Sequence, residues 1–193
     1  MISSRPPLVR ARAFCDAFAH RLPILMAPMA GASPASLAVA VANAGGLGGC
    51  GAFMKPEAIR AWAAEVRSQS NGSFQINLWI PDPTPERDPA HEAKVREFLG
   101  QWGPAVSPEA GGVTPIDFEE QCEAMLDVGP AIVSSIMGVY PADVVARMKE
   151  KGIRWLANVT TVAEAREAVA AGADVIVAQG SRVCSPMPGP LRW

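Results

Sequence analysis

Pro23-Ile24-Leu25-Met26-Ala27-Pro28-Met29-Ala30-Gly31 is the stretch whose reading decides the fold. An apolar run stops at a proline and a glycine, and Ser33-Pro34 then opens a helical pattern. This reads as a short buried strand over residues 24–27, ending in a loop where backbone can approach a flat ligand. Downstream the chain repeats the same strand–loop–helix order until Gly180, where it stops.

Residues 1–22 read as a lead-in with a short helix over 11–20. The helix after the first strand takes Ser33 as its N-cap and Pro34 as its first helical residue, and Gly45-Gly46 closes it. Residues 47–51 form a second strand, so rich in glycine that it is either tightly packed or ligand-facing. A helix over 56–68 begins at Pro56. The third strand, 74–80, contains Asn77, a polar side chain that needs a partner if buried. Residues 81–89 are a proline- and charge-rich loop. Helices follow over 91–100 and 117–126, with 103–115 irregular between them. The fourth strand, 131–136, carries Ser134-Ser135. Pro141 opens a helix with Val144, Val145 and Met148 on one face and Gly152 at its end. The fifth strand covers 154–159. Thr161 and Glu164 have capping-box spacing, and Gly172 closes that helix. The sixth strand is 173–179.

Six strand signals alternating with helices, each strand apolar on both faces, predict an α/β chain with a parallel sheet covered by helices. The repeat of roughly 30 residues fits the βα units of a TIM barrel, and a full barrel has eight strands in about 250 residues. The expectation is therefore an incomplete parallel (β/α) barrel of about six strands. A doubly wound open sheet competes, but Gly31 stands without G-x-G-x-x-G spacing. Gly45-Gly46-Leu47-Gly48-Gly49 lies between a helix end and a strand, the wrong context for a dinucleotide loop.

Composition narrows the function. The 193 residues carry a net charge of −2, with 49% hydrophobic and 19% charged residues, which describes a globular chain. That balance gives no electrostatic case for nucleic acid or an anionic membrane. No apolar run approaches the roughly 18–20 residues of a membrane span. Arg5, Arg10 and Arg12 are not followed by a continuous apolar segment, so no secretory signal is expected. Cys15, Cys50, Cys122 and Cys184 show no CxxC or His pairing at metal spacing. They read as structural thiols of a cytoplasmic protein, with no metal site.

Four pieces, in order and at fitting separations, resemble the nitronate monooxygenase family, formerly called 2-nitropropane dioxygenases. They are Ile24-Leu25-Met26-Ala27-Pro28-Met29-Ala30-Gly31, Ala44-Gly45-Gly46-Leu47-Gly48, Phe74-Gln75-Ile76-Asn77-Leu78-Trp79, and Ala171 through Gly180. The similarity covers roughly residues 20–180. It implies an FMN-dependent TIM barrel that oxidises nitronates or nitroalkanes, with oxygen, to a carbonyl compound and nitrite. It also implies flavin-ring contacts from the backbone at Ala27, Pro28 and Met29, and cofactor bonds from Asn77, Gln179 and Gly180. Those positions lie at C-terminal strand ends, where barrel sites are built. Ser134 and Ser135 stand near another such end as candidate pocket residues.

After the sixth strand the family continues with Glu-Ala-Gly-Gly-His or a close relative. This chain reads Gly180-Ser181-Arg182-Val183-Cys184, then a tail with Pro186, Pro188 and Pro190. The expectation is a lead-in over 1–22, a partial barrel over 23–180 and a divergent Pro-rich tail over 181–193. Truncation would remove the loops after strands seven and eight that usually grip a phosphate. It would impair activity and leave sheet edges open to self-association. His20 and His91 match no catalytic position of the family, so no base is assigned. Two alternatives stay open: a flavin-dependent enoyl reductase-like barrel, and an inactive fragment or partner-dependent half-barrel.

Overall fold

A computed structural model describes residues 7–51, 53–70, 72–83, 86–112 and 115–180. The proposed Pro-rich tail, 181–193, lies outside the described residues. Five strands form one parallel sheet in chain order: β1 (Gly48–Gly51), β2 (Phe74–Trp79), β3 (Ile132–Ile136), β4 (Arg154–Val159) and β5 (Val175–Ala178). Their helices are α1 (Pro7–Ala17), α2 (Ala35–Asn43), α3 (Pro56–Gln69), α4 (Pro89–Leu99), α5 (Phe118–Val128), α6 (Ala142–Glu150) and α7 (Val162–Ala171). Sequential parallel order with alternating helices is the wall of a TIM-type barrel, here incomplete.

The opening stretch extends this wall by a single ladder step. Leu25 bridges Leu47 in parallel, the Met26 N–H donates to the Leu47 carbonyl at 2.9 Å, and the Leu47 N–H donates to the Ile24 carbonyl at 2.9 Å. The expected first strand is thus a bridged segment next to β1. Pro23 and Pro28 bracket it, and neither has an N–H to lengthen the ladder.

Register sorts the strand residues by face. Gly49 pairs with Gln75 and Gly51 with Asn77; Asn77 pairs with Ser134, Ser134 with Leu156, and Leu156 with Val175. These residues share the inner face. Its lower layer is Leu47, Ile132 and Leu156, packed with Phe18, Leu25, Val175 and Val177. On the outer face, Ile76, Leu78, Val133, Trp155 and Ala157 join a larger core with Ile59, Val66, Met125, Val144, Val145 and Met148 of the helices. Burial of each such large side chain contributes about 1.5–3 kcal/mol.

Local chemistry sets most helix ends. Pro56 opens α3, and α7 has the expected capping box: the Glu164 N–H donates to Thr161 Oγ at 3.2 Å, while the Glu164 carboxylate accepts from the Thr161 N–H at 3.3 Å and also from the Thr160 N–H at 2.7 Å. The start of α2 differs from expectation. Pro34 occupies the cap position without a side-chain bond, and Ser33 Oγ instead accepts the Met29 N–H at 3.0 Å.

The Thr160 backbone bond, then its hydroxyl, hold the Glu164 carboxyl below its ordinary pKa. A depressed folded-state pKa stabilises the fold above the ordinary carboxylate range, and that stability is lost as pH falls through the depressed value. Glu164→Gln is expected to remove this share of the acid destabilisation. Melting temperatures of native and variant chains should differ near neutrality and converge on acidification; parallel curves would contradict the assignment.

Asp82–Asp117 forms a compact unit of its own. Asp88 Oδ1 caps α4 by accepting the Ala90 and His91 N–H groups at 3.0 and 3.1 Å. No residue of α4 is buried, and Val95, Phe98, Leu99 and Trp102 are exposed at helical spacing. Within the stretch expected to be irregular, Pro108–Gly112 makes a 3-10 turn.

Candidate functional site

The site residues named from sequence stand at or near the C-terminal ends of the bridged segment, β2 and β5, and of these only Gln179 and Gly180 line one cleft. Ala27, Pro28 and Met29 follow the bridge, Asn77 lies within β2, and Gln179 and Gly180 follow β5. The loop after the bridge is held at several points. Met29 donates its N–H to Ser33 Oγ, and its carbonyl accepts from the Ala32 N–H at 3.1 Å. Ser33 in turn accepts the Trp62 indole N–H on its carbonyl at 3.0 Å. The Met29 backbone is therefore committed inside the loop, and its side chain, 41% exposed, is what it can offer a ligand. Ala27 is exposed, and among the described residues its N–H has no acceptor.

Sequence reasoning missed Gln75, which holds this loop to the sheet. Its Nε2 donates to the Met26 carbonyl at 2.7 Å, reaching across β1. The crossing is possible because β1 carries glycine there: a Cβ at Gly49 would stand 2.7 Å from Gln75 Cγ. Likewise, a Cβ at Gly51 would stand 2.8 Å from the Ala30 nitrogen and 3.2 Å from the Met29 carbonyl carbon. The glycines of β1 thus bring the 27–30 backbone flat against the strand. The available signal was Gln75 lying two residues before Asn77, on the same face of a strand.

Asn77 finds the partner that its burial requires: its Nδ2 donates to Ser134 Oγ at 2.9 Å, with the two residues 4% and 3% exposed. Ser135 points the other way. It lies on the outer face, fully buried, accepting the Trp155 indole N–H at 3.0 Å, so it lines no strand-end pocket. Gln179 continues the β4–β5 ladder, its N–H donating to the Val159 carbonyl at 2.8 Å. Gln179 and Gly180 line a cleft of about 560 Å³ together with Met137, Asn158, Thr160 and Glu167. That volume falls within the usual range of small-molecule sites.

The mouth also carries apolar side chains that sequence reasoning did not select. Phe53, Trp79 and Met137 are 67%, 52% and 61% exposed at the ends of β1, β2 and β3. Phe53 and Trp79 meet edge to face, with ring centroids 5.8 Å apart. Met137 has φ +71°, a left-handed conformation that costs a non-glycine residue on the order of 1 kcal/mol.

Other reactive groups lie elsewhere. Burial pushes the Cys50 and Cys122 thiols up to about 12, which keeps them protonated, as structural thiols should be. His20 is buried beside Cys15 after α1, its Nε2 without a partner among the described residues, and burial lowers its pKa. His91 stands on α4. Neither histidine is at a strand end. Among the described residues no cluster could hold a metal ion, and no helix is long and apolar enough to cross a membrane.

Parallel βα units with a cleft at the C-terminal strand ends define the class: a (β/α) barrel-type chain. The family follows from comparison. A family model described as nitronate monooxygenase matches residues 12–184, and the chain belongs to that family. It is 38% identical over 170 residues to a nitronate monooxygenase of Paraburkholderia phytofirmans, covering 82% of this chain and 45% of the relative. It is 37% identical over 165 residues to one of Pseudomonas aeruginosa, covering 82% and 47%. Among solved structures it resembles nitroalkane oxidase from Streptomyces ansochromogenes, with TM-score 0.72 and 30% identity over 88% of this chain and 48% of that one. FabK from Thermotoga maritima superposes with TM-score 0.61 and 25% identity, over 86% and 43%. The chain spans about half the length of the curated relatives it matches.

Proposed function

We propose that this chain builds the flavin-ring wall of an FMN-dependent site that oxidises nitronates, or the parent nitroalkanes, with molecular oxygen to a carbonyl compound and nitrite. The observation that carries the reading is the clamp on the first loop. Gln75 fixes Met26 from across Gly49, and Gly51 lets the 29–30 backbone lie on β1. A planar ring needs such a flat, rigid wall, and the exposed Ala27 and Met29 with the half-buried Pro28 between them are the surface it presents. Polar groups support the same reading: the Asn77–Ser134 pair joins β2 to β3, and Gln179 and Gly180 line the cleft on the β5 side.

Bound FMN supplies the redox chemistry, as a cofactor does on a protein scaffold. The residues of this chain orient the ring edge, hold the nitronate near it and keep the loop from moving. Asn77, bonded to Ser134, would hold β2 to β3 beside the cofactor, and Gln179 and Gly180 would bond it from the β5 side. The nitronate anion needs no proton removed from carbon, so it is the substrate form used in the test. The paired release of nitrite and carbonyl from a nitronate in air tests the reading. Nitrite is expected only with FMN present and in proportion to carbonyl. Nitrite release that is indifferent to FMN would overturn it. A cytoplasmic setting goes with the proposal, in keeping with the free thiols of Cys15, Cys50 and Cys122.

A further inference from the structure

The column Gln75–Asn77–Trp79 on the inner face of β2 has two members already occupied: Gln75 holds Met26, and Asn77 holds Ser134. Trp79, the third, is 52% exposed and meets the Phe53 ring edge to face. Trp79 pairs in register with Ile136, which lines the cleft beside Met137. Met137 is held at φ +71° with Gly138 at φ +154° after it, an arrangement that leaves its side chain exposed. An exposed methionine in a left-handed conformation and two exposed aromatic rings thus stand at three consecutive strand ends. The cleft that Met137 lines also carries the polar Asn158, Thr160, Glu164 and Glu167.

Resting on the nitronate reading above, we propose that Phe53, Trp79 and Met137 are the specificity-determining shelf for the substrate's carbon chain. The site then prefers unbranched alkyl nitronates of several carbons to the shortest ones. Methionine suits this role because its flexible thioether adapts to chains of different length. An apolar chain on the shelf is covered from one side, so each added methylene should tighten binding by about two- to fourfold, up to the full-burial value.

The test is calorimetric titration of the chain, loaded with FMN and without it, with primary alkyl nitronates of increasing length. Flavin content is read separately by absorbance. In the native chain the dissociation constant should fall with each methylene. In Trp79→Ala and Phe53→Ala that dependence should flatten to less than about 1.5-fold per methylene, while FMN affinity and melting temperature stay near native. Trp79→Phe, which keeps a ring, should retain part of the slope. A length-independent native chain, slopes unchanged in both alanine variants, or loss of FMN along with the slope would overturn the shelf. Intact slopes without FMN uptake would instead overturn the flavin reading alone.

Discussion

Trp155→Ala is expected to lower the unfolding free energy by about 3–5 kcal/mol, a large share of the roughly 5–15 kcal/mol that keeps such a domain folded. Trp155 is 1% exposed on the outer face of β4 and donates its indole N–H to Ser135 Oγ. Its ring meets Tyr140 edge to face at 5.5 Å, and Tyr140 stacks on Phe118 at 6.3 Å. Tyr140 in turn donates its hydroxyl to the Ser134 carbonyl at 3.0 Å, the residue whose side chain pairs with Asn77. Alanine would open a cavity among these rings and orphan the Ser135 hydroxyl. Trp155→Phe fills most of the space and loses only the hydrogen bond, so about 1–2 kcal/mol is expected. Chemical denaturation of the three chains checks both values. An alanine variant within about 1 kcal/mol of native would show that this aromatic cluster does not anchor the sheet to its helices.

Gly51→Val is expected to abolish measurable FMN binding while leaving most of the helical fold intact. The Cβ would meet the Ala30 nitrogen at 2.8 Å and two Met29 backbone atoms at 3.2 and 3.3 Å. These neighbours are backbone, which cannot rotate aside as a flexible side chain would. The clash moves the 27–30 loop off β1 and separates its wall from Asn77 and Gln179. Misplacement by about 1 Å in a positioned site can cost on the order of 100-fold. Far-ultraviolet circular dichroism and flavin absorbance on the same sample separate the two effects. Loss of both signals together would make Gly51 a residue of folding rather than of the site.

Much of this was legible because it depends on neighbours in sequence. Pro56, the Thr161–Glu164 pair and Gly172 mark helix ends through local chemistry, and they mark them in the structure. The parallel sheet followed from strands apolar on both faces. The first strand shrank to the Leu25–Leu47 bridge because prolines on both sides limit its hydrogen bonds. Ser33 has every property of an N-cap, yet its hydroxyl serves the Met29 N–H, a choice made by loop geometry. Asn77 was marked by its need for a partner, but Ser134 lies 57 positions away and no local pattern joins them. Gln75 was hidden more deeply, since its reach to Met26 exists only because Gly49 lies between them. No sequence signal singled out Trp79 or Phe53; only the fold shows that they end exposed beyond their strands.

The central claim is that the clamped loop after the bridge is a flavin wall. Titrating FMN into the native chain and into Gly51→Val, followed by visible absorbance, tests it most directly. Saturable uptake by the native chain, with the flavin bands shifted on binding and no uptake by the variant, is the predicted result. Equal uptake by both chains, or none by a folded native chain, would contradict it.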